Sequence, residues 1–353
     1  MRKISIKTSK SYDITIGTGI LDSAGSIVRQ TVGGQTAAVV TDDIVSALYG
    51  QRLADSLAKS GYRVARHIFP NGESSKNAET YLALLNFLAA EKLSRADAVV
   101  ALGGGVVGDL AGFAAACYMR GVRFVQIPTT LLSAVDSSVG GKTGVNLAAG
   151  KNLAGAFYQP DAVICDVSLL STLSEKIFAD GCAEVIKYGV IADLALFESL
   201  RKPVRSHLEN IIARCIEIKR DVVVADEHET GGRRLLNFGH TVGHAIELLS
   251  GYRTPHGHAV AAGMAIETRA AVRLGVCKAD CIGEISQMLR LYNLPESTAY
   301  DACSLANACL ADKKRDGDAL TMIFPAEIGK CVLTKIPVDD LKTVIQAGLE
   351  AQA

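Results

Sequence analysis

Between residues 36 and 130 the chain repeats one phrase: a short apolar run, then glycine or acidic punctuation, then a segment with helical spacing. A strand with one wet face alternates apolar and polar residues, so unbroken runs such as "TAAVV" and "AVVAL" need cover on both faces. "TAAVVTDD" (36–43), "YRVARHIFP" (62–70), "DAVVALGGG" (97–105) and "RFVQIPTT" (123–130) read as strands. Helical patterns lie between them in "VSALYGQRLADSLAKSG", "AETYLALLNFLAAEKLSRA" and a small-residue helix from about Asp109 to Met119. The succession predicts an α/β fold, a parallel sheet with helices on both faces.

From about Ser174 the pattern turns helical, through "LSEKIFADGCAEVIKYGVIAD", "LENIIARCIEIKRDVVVADEHE", "NFGHTVGHAIELLSG" and "GHAVAAGMAIETRAAVRLG". A strand-like "ALTMIFPA" (319–326) and a helix after Pro337 close the chain. The expected division is an α/β domain over 1–173 and a mainly helical domain over 174–353, with the active site expected in the cleft between them. Lys plus Arg and Asp plus Glu both number 37, so no global field draws the chain to nucleic acid or an anionic membrane. Nine scattered cysteines without CxxC spacing suit buried thiols in a reducing compartment. "MRKISIKTS" alternates like a half-buried strand and lacks a signal peptide's apolar core, and no stretch suits a bilayer span, so the cytoplasm is the expected location.

"VDSSVGGKTG" (135–144) ends in the Gly-Lys-Thr of a triphosphate-binding loop. Such a loop needs glycine where this chain has Asp136, whose carboxylate repels phosphate. Lys142 therefore needs another task. "ALGGGVVGDLAG" offers Gly103, Gly105 and Gly108 in G-x-G-x-x-G spacing between a strand and a helix, a turn that admits a pyrophosphate to free backbone N–H groups. Asp42, at the end of an earlier strand, suits ribose hydroxyls, although it precedes the glycine loop where the ordinary fingerprint places the acid after it.

His240 and His244 stand four apart on a helical pattern, as metal-binding pairs do, and "PHGH" brings His256 and His258 just beyond. A carboxylate completing a zinc site is available in "GCAEVIKYG", where Glu184 precedes Lys187 by one turn. Lys142, Lys151, Lys187, Arg120, Arg233 and the Lys313-Lys314 pair flank small-residue turns, which suits a phosphorylated, hydroxylated substrate.

"GGGVVGDLAGF", "MRGV", "QIPTTLLSAVDSSVGGKTGVN", "GKNLAGAFYQP", "AEVIKYG", "LLNFGHTVGHAIE", "HGHAVAAGM" and "DKK" together resemble the 3-dehydroquinate synthase family of sugar phosphate cyclases, over about residues 40–330. The resemblance implies a Rossmann-like NAD-binding domain, a helical metal-binding domain and a homodimer. The implied reaction converts 3-deoxy-D-arabino-heptulosonate 7-phosphate to 3-dehydroquinate and phosphate, by transient NAD oxidation, phosphate elimination, re-reduction and aldol closure, within aromatic amino acid biosynthesis. It implies zinc or cobalt on Glu184, His240 and His256, with His244 left as an acid/base residue. NAD is expected against Asp42, Asn71, Gly72, Glu73, Lys76, Gly104, Gly105, Val106, Val107, Gly108, Asp109, Thr129, Thr130, Lys142, Lys151, Leu169, Leu170, Ser171 and Thr172. The phosphorylated sugar acid is expected against Arg120, Asp136, Lys142, Asn152, Lys187, Arg233, Asn237, Lys313 and Lys314, with Glu229 a further proton acceptor.

Two positions depart from the family pattern. His258 stands where the family usually has Glu, able to alter hydrogen bonding around the metal or to rival His256, and Ile44 stands where it often has a polar residue near the cofactor. Other readings are a different sugar phosphate cyclase, a metal-dependent polyol dehydrogenase, or a nucleotide-sensing protein with a structural metal.

Overall fold

The computed structural model describes residues 1–278, 280–311, 315–316 and 318–350. Two compact units emerge: Met1–Leu173 with Lys219–His228, and Ser174–Ile218 with the chain from Glu229 on.

In the first unit, β1 (Arg2–Lys7), β2 (Ser11–Gly17), β3 (Thr36–Asp42), β4 (Arg63–Phe69), β5 (Ala98–Gly103), β6 (Arg123–Pro128) and a later strand, β9 (Ala162–Asp166), form one sheet. Its order is β1-β2-β9-β6-β5-β3-β4; β1 and β2 pair antiparallel and every other neighbouring pair is parallel. The all-apolar runs are covered on both sides as their composition demands. Ala37, Val39, Val100 and Leu102 pack beneath α1 (Ala24–Thr31) and α3 (Gln51–Lys59), which follows the short turn α2 (Asp43–Val45). Ala38, Val40, Val99 and Ala101 face the other way, against α4 (Ala78–Ala90) and α5 (Gly105–Cys117). Between β6 and β9 lies a separate antiparallel hairpin, β7 (Lys142–Leu147) and β8 (Gly150–Phe157).

From β3 the chain steps outward to β4, then returns across to β5 on the other side of β3. The carboxyl ends of β3 and β5 thus flank the point where strand order reverses, which is where open α/β sheets bind ligands. Asp42 ends one strand and Gly103 the other.

The second unit is built from α6 (Glu175–Ala192), α7 (Leu194–Ser199), the start of α8 (Leu208–Ala225), α9 (His240–Leu249), α10 (His256–Arg273), α11 (Asp280–Leu291), α12 (Ala302–Ala311) and α13 (Val338–Leu349). An antiparallel sheet of β10 (Arg315–Asp316), β11 (Ala319–Glu327) and β12 (Lys330–Pro337) joins them. Val242, Ile246, Ile266, Leu305, Phe324, Leu341 and Ile345 share its core. No helix among the described residues is long and apolar enough to cross a membrane.

Local differences from the sequence reading have physical causes. The helix expected from Asp109 begins at Gly105, because its first turn is glycine and valine and carries little helical signal. The helix expected over 45–61 is interrupted by a wide π-helical turn at Ser46–Gly50. β12 lacks apolar alternation, since most of its side chains are exposed or half-buried.

Glycines set how closely the second unit's helices approach. A Cβ on Gly263 of α10 would lie 2.0 Å from the Gly239 carbonyl oxygen, just before α9, and one on Gly257 would lie 1.9 Å from the Asp180 carbonyl of α6. Backbone cannot retreat as a side-chain tip can. Gly263→Ala is expected to destabilise the protein by about 1–3 kcal/mol. Gly283→Ala, on the exposed face of α11 with open space around it, should stabilise it by about 0.5–1 kcal/mol. Urea unfolding of both variants checks the contrast.

Candidate active site

In the first unit, α5 starts with no side-chain cap on its N-terminal N–H groups. None of Gly103, Gly104, Gly105 or Gly108 has a left-handed backbone, so the glycines here serve space. A Cβ on Gly103 would strike Val107 at 2.4 Å and one on Gly108 the Gln126 Oε1 at 2.8 Å, which makes these two packing glycines. Gly104 and Gly105 are less crowded and leave the helix end bare, an arrangement that receives anions. Beside it the Thr129 Oγ1 is buried without a hydrogen-bond partner among the described residues. Thr130 exchanges hydrogen bonds with Ser133 in the turn that follows.

Burial raises the pKa of Asp42 from its ordinary value, against the hydrogen bond its Oδ1 accepts from the Val45 N–H at 2.8 Å. Asn71 donates to Asp43, and Gly72 next to it has φ 101°, so the turn after β4 is fastened beside the end of β3. Leu169 and Leu170 are core residues, while Ser171 and Thr172 are exposed and Thr172 shares a 2.7 Å hydrogen bond with Tyr49.

Lys76 is buried and donates to Asp109 Oδ2 at 2.5 Å and to Asn152 Oδ1 at 2.6 Å. Glu73 accepts from Asn146 at 2.8 Å and stands 3.6 Å from Lys151. Five residues named for cofactor or substrate thus form neighbouring polar clusters. Asn152 has φ 53° and Arg120 φ 63°, left-handed values that cost a non-glycine residue about 1–3 kcal/mol and concentrate at functional sites.

The Gly-Lys-Thr segment is no triphosphate loop. Gly140 and Gly141 have φ 96° and 70°, a left-handed turn that delivers Lys142 to the start of strand β7, whereas a phosphate loop opens a helix. Asp136, just before, is held by a residue that sequence reasoning missed. Buried Lys219 of α8 donates to the Asp136 carbonyl at 2.6 Å and its Oδ1 at 2.9 Å. In "EIKRD" it reads as one more solvated helix charge, and nothing in the spacing separates it from Arg220.

In the second unit, α6 carries Glu184 and Lys187, both fully buried, with Lys187 Nζ against Glu184 Oε2. Glu184 Oε1 lies 3.5 Å from His240 Nε2 and 3.5 Å from His256 Nε2. These separations are long for hydrogen bonds and suit ligands of one ion, since atoms about 2.1 Å from a tetrahedral zinc lie about 3.4 Å apart. The other ring nitrogens have acceptors: His240 Nδ1 at 3.0 Å from the Phe238 carbonyl and His256 Nδ1 at 3.2 Å from the buried Glu247 carboxylate. A proton on each Nδ1 leaves the Nε2 lone pair for a metal, the usual outer arrangement of a zinc histidine. The donor set therefore fits a divalent cation.

Burial alone lowers the basicity of His256, but the Glu184 and Glu247 carboxylates override it and push its pKa up to about 10. The same two carboxylates favour a dication in the proton's place. Glu247 was not legible beforehand, being one acid among many on a helix.

His244 is not in the Glu184 grouping but is close to it, its ring centroid 5.5 Å from that of His240 and 6.0 Å from that of His256, against 5.2 Å between those two. With Glu247 and His256 it forms a second grouping of possible ligand atoms, which shares His256 with the first. His258 joins neither, because its backbone N–H and Nδ1 both lie 3.0 Å from Asp180 Oδ1. Asn237 donates to Glu229 at 2.7 Å, Glu229 has φ 60°, and Arg233 is almost wholly buried. Lys313 and Lys314 lie outside the described residues. Ile44 is exposed.

A bare glycine helix end at a strand switch point and a Glu-His-His grouping able to hold a cation are what a nucleotide- and metal-dependent enzyme needs. The chain's sequence narrows that class. Residues 66–180 match the family described as 3-dehydroquinate synthase N-terminal, and 181–315 the one described as 3-dehydroquinate synthase C-terminal. A 3-dehydroquinate synthase of Streptococcus sanguinis is 42% identical over 343 residues, covering 95% of this chain and 97% of that protein. The chain belongs to the 3-dehydroquinate synthase family. Among solved structures, 2-deoxy-scyllo-inosose synthase complexed with carbaglucose-6-phosphate, NAD+ and Co2+ superposes with TM-score 0.88 at 29% identity, covering 99% of this chain and 100% of that one. A 2-epi-5-epi-valiolone synthase from Streptomyces hygroscopicus with NAD+ and Zn2+ bound gives 0.87 at 27% identity, with 99% of each chain covered.

Glu184→Gln keeps the shape and removes the charge. It is expected to weaken Zn2+ binding by more than the about 10–100-fold that outer hydrogen-bonding changes cost, as read by competition with a chromophoric chelator.

Proposed function

We propose that the chain is a 3-dehydroquinate synthase, a carbon–oxygen lyase that converts 3-deoxy-D-arabino-heptulosonate 7-phosphate to 3-dehydroquinate and inorganic phosphate. The observation that carries this reading is the Glu184, His240 and His256 trio in a chain 42% identical to such enzymes over nearly its whole length. NAD+ is held by the first unit at Asp42, the 71–76 turn, Gly104–Asp109, Thr129, Thr130 and Lys151. The cation is held by the second unit's trio. When bound, the metal supplies Lewis acidity toward substrate hydroxyls and NAD+ a reversible hydride acceptor.

The chain's own residues manage protons and phosphate. His244, outside the ligand trio, takes the proton of the C5 hydroxyl and later returns it, a task suited to an imidazole near neutral pH. Lys142, Asn152, Arg120, Lys187, Arg233 and Asn237 bind the carboxylate, hydroxyls and phosphate, and the positive charges among them stabilise the leaving phosphate. Lys313 and Lys314 add to that charge. Asp136 is a substrate contact fixed by Lys219, and Glu229, fixed by Asn237, is a further proton acceptor. The overall conversion is redox-neutral, so turnover would leave the NAD+ pool unchanged. Nine free thiols suit the cytoplasm, and the working assembly is a homodimer.

The test supplies the heptulosonate 7-phosphate, NAD+ and Zn2+ or Co2+ to the purified protein and follows phosphate and NADH together. One phosphate per substrate without accumulating NADH, abolished by a chelator, is the expected result. Steady NADH without phosphate would identify a polyol dehydrogenase instead. His244→Ala is expected to lower kcat by about 10²–10⁴-fold while cation affinity stays within a few-fold of wild type.

A further inference from the structure

His240 is the first residue of α9 and His256 the first residue of α10. A helix's opening residue is held only as well as the N–H groups around it are capped, and neither helix caps itself. The residue before His240 is Gly239, which has no side chain to offer and cannot acquire one: it has φ 76°, and a Cβ there would lie 2.5 Å from Met264 and 2.7 Å from the Val260 carbonyl. The residue before His256 is Pro255, whose ring accepts no hydrogen bond.

Both caps come from another helix. Glu267 of α10, wholly buried, accepts the Gly239 N–H at 2.8 Å on one oxygen and the Val242 N–H at 3.3 Å on the other. Asp180 of α6 accepts the His258 N–H at 3.0 Å, and its carboxylate is steadied by the His258 ring. Val242 and His258 are the third residues of their helices, the position that an ordinary capping side chain serves. The two carboxylates also oppose the positive ends of α9 and α10, which would otherwise face a dication.

We propose that Glu267 and Asp180 are positioning residues of the cation site: by capping α9 and α10 from neighbouring helices they fix His240 and His256 and raise metal affinity. This rests on the metal reading above. It also gives His258 a task, that of aiming Asp180, in place of metal ligation.

The test measures Zn2+ affinity by chelator competition, the visible spectrum of the Co2+ form, and the melting temperature with and without metal, for Glu267→Gln, Asp180→Asn and the control Asp301→Asn. Asp301 caps α12 through the Ser304 N–H at 2.9 Å, and its side chain bonds only within that turn among the described residues. Glu267→Gln is expected to raise the Zn2+ Kd about 10–100-fold, to shift the Co2+ bands and to shrink the melting-temperature gain on metal binding. Asp180→Asn should move all three in the same direction. Asp301→Asn should lower the melting temperature with metal affinity and spectrum unchanged. Wild-type affinity and Co2+ spectrum in both site variants overturn the proposal, whatever happens to stability. If Glu267→Gln does not fold, Asp180→Asn, whose side chain is partly exposed, decides alone. A wild-type protein that binds no divalent cation overturns the metal reading itself and this inference with it.

Discussion

A fully buried carboxylate has to be compensated, and Glu184 has Lys187 against one oxygen and two imidazole nitrogens 3.5 Å from the other, spaced as for a shared ion. Everything local to it follows from that demand. One turn of α6 supplies the lysine. The histidines need α9 and α10 within reach of α6, and the glycine contacts at Gly257, Gly263 and Gly243 bring those backbones close enough. The imidazoles then need a fixed tautomer, which the Phe238 carbonyl and the Glu247 carboxylate provide.

The first unit solves a different problem. A nucleotide's phosphates need open backbone donors held in a fixed place. Strands buried on both faces hold them there, and the reversal of strand order between β3 and β5 leaves the strand ends accessible. Charge is then arranged around the opening in mutually paired form, Lys76 with Asp109 and Asn152, Glu73 with Lys151, so that a ligand entering meets groups already oriented.

Sequence reasoning reached the sheet because unbroken apolar runs have few alternatives, and the three residues that the family motif named, Glu184, His240 and His256, lie together in one of two groupings able to hold a metal ion. Spacing alone grouped His240 with His244, since residues four apart on a helix share a face; in the structure His240 and His256 group with Glu184, and His244 groups with Glu247 and His256. What stayed hidden were residues whose partners are distant in the chain. Lys219 meets Asp136 across 83 positions, and Asp180 meets His258 across 78. Periodicity carries no information about such pairs. The hairpin β7–β8 was also invisible as strands, because its glycines and small residues serve close approach and dilute any alternation: a Cβ on Gly155 would lie 2.1 Å from the Thr143 carbonyl.

One geometric fact about α10 reaches further. His256 and Glu267 stand eleven residues apart, which at about 100° per residue returns to nearly the same face of the helix, about 16 Å along its axis. A single helix therefore works as a ruler, presenting His256 at one end and, three turns on, the carboxylate that accepts the N–H groups opening α9. Substitutions between them can be absorbed wherever volume permits, but one inserted or deleted residue would turn the far end by a quarter revolution or more. Length between these two positions should drift far less in descendants of this chain than the identity of the residues that fill it.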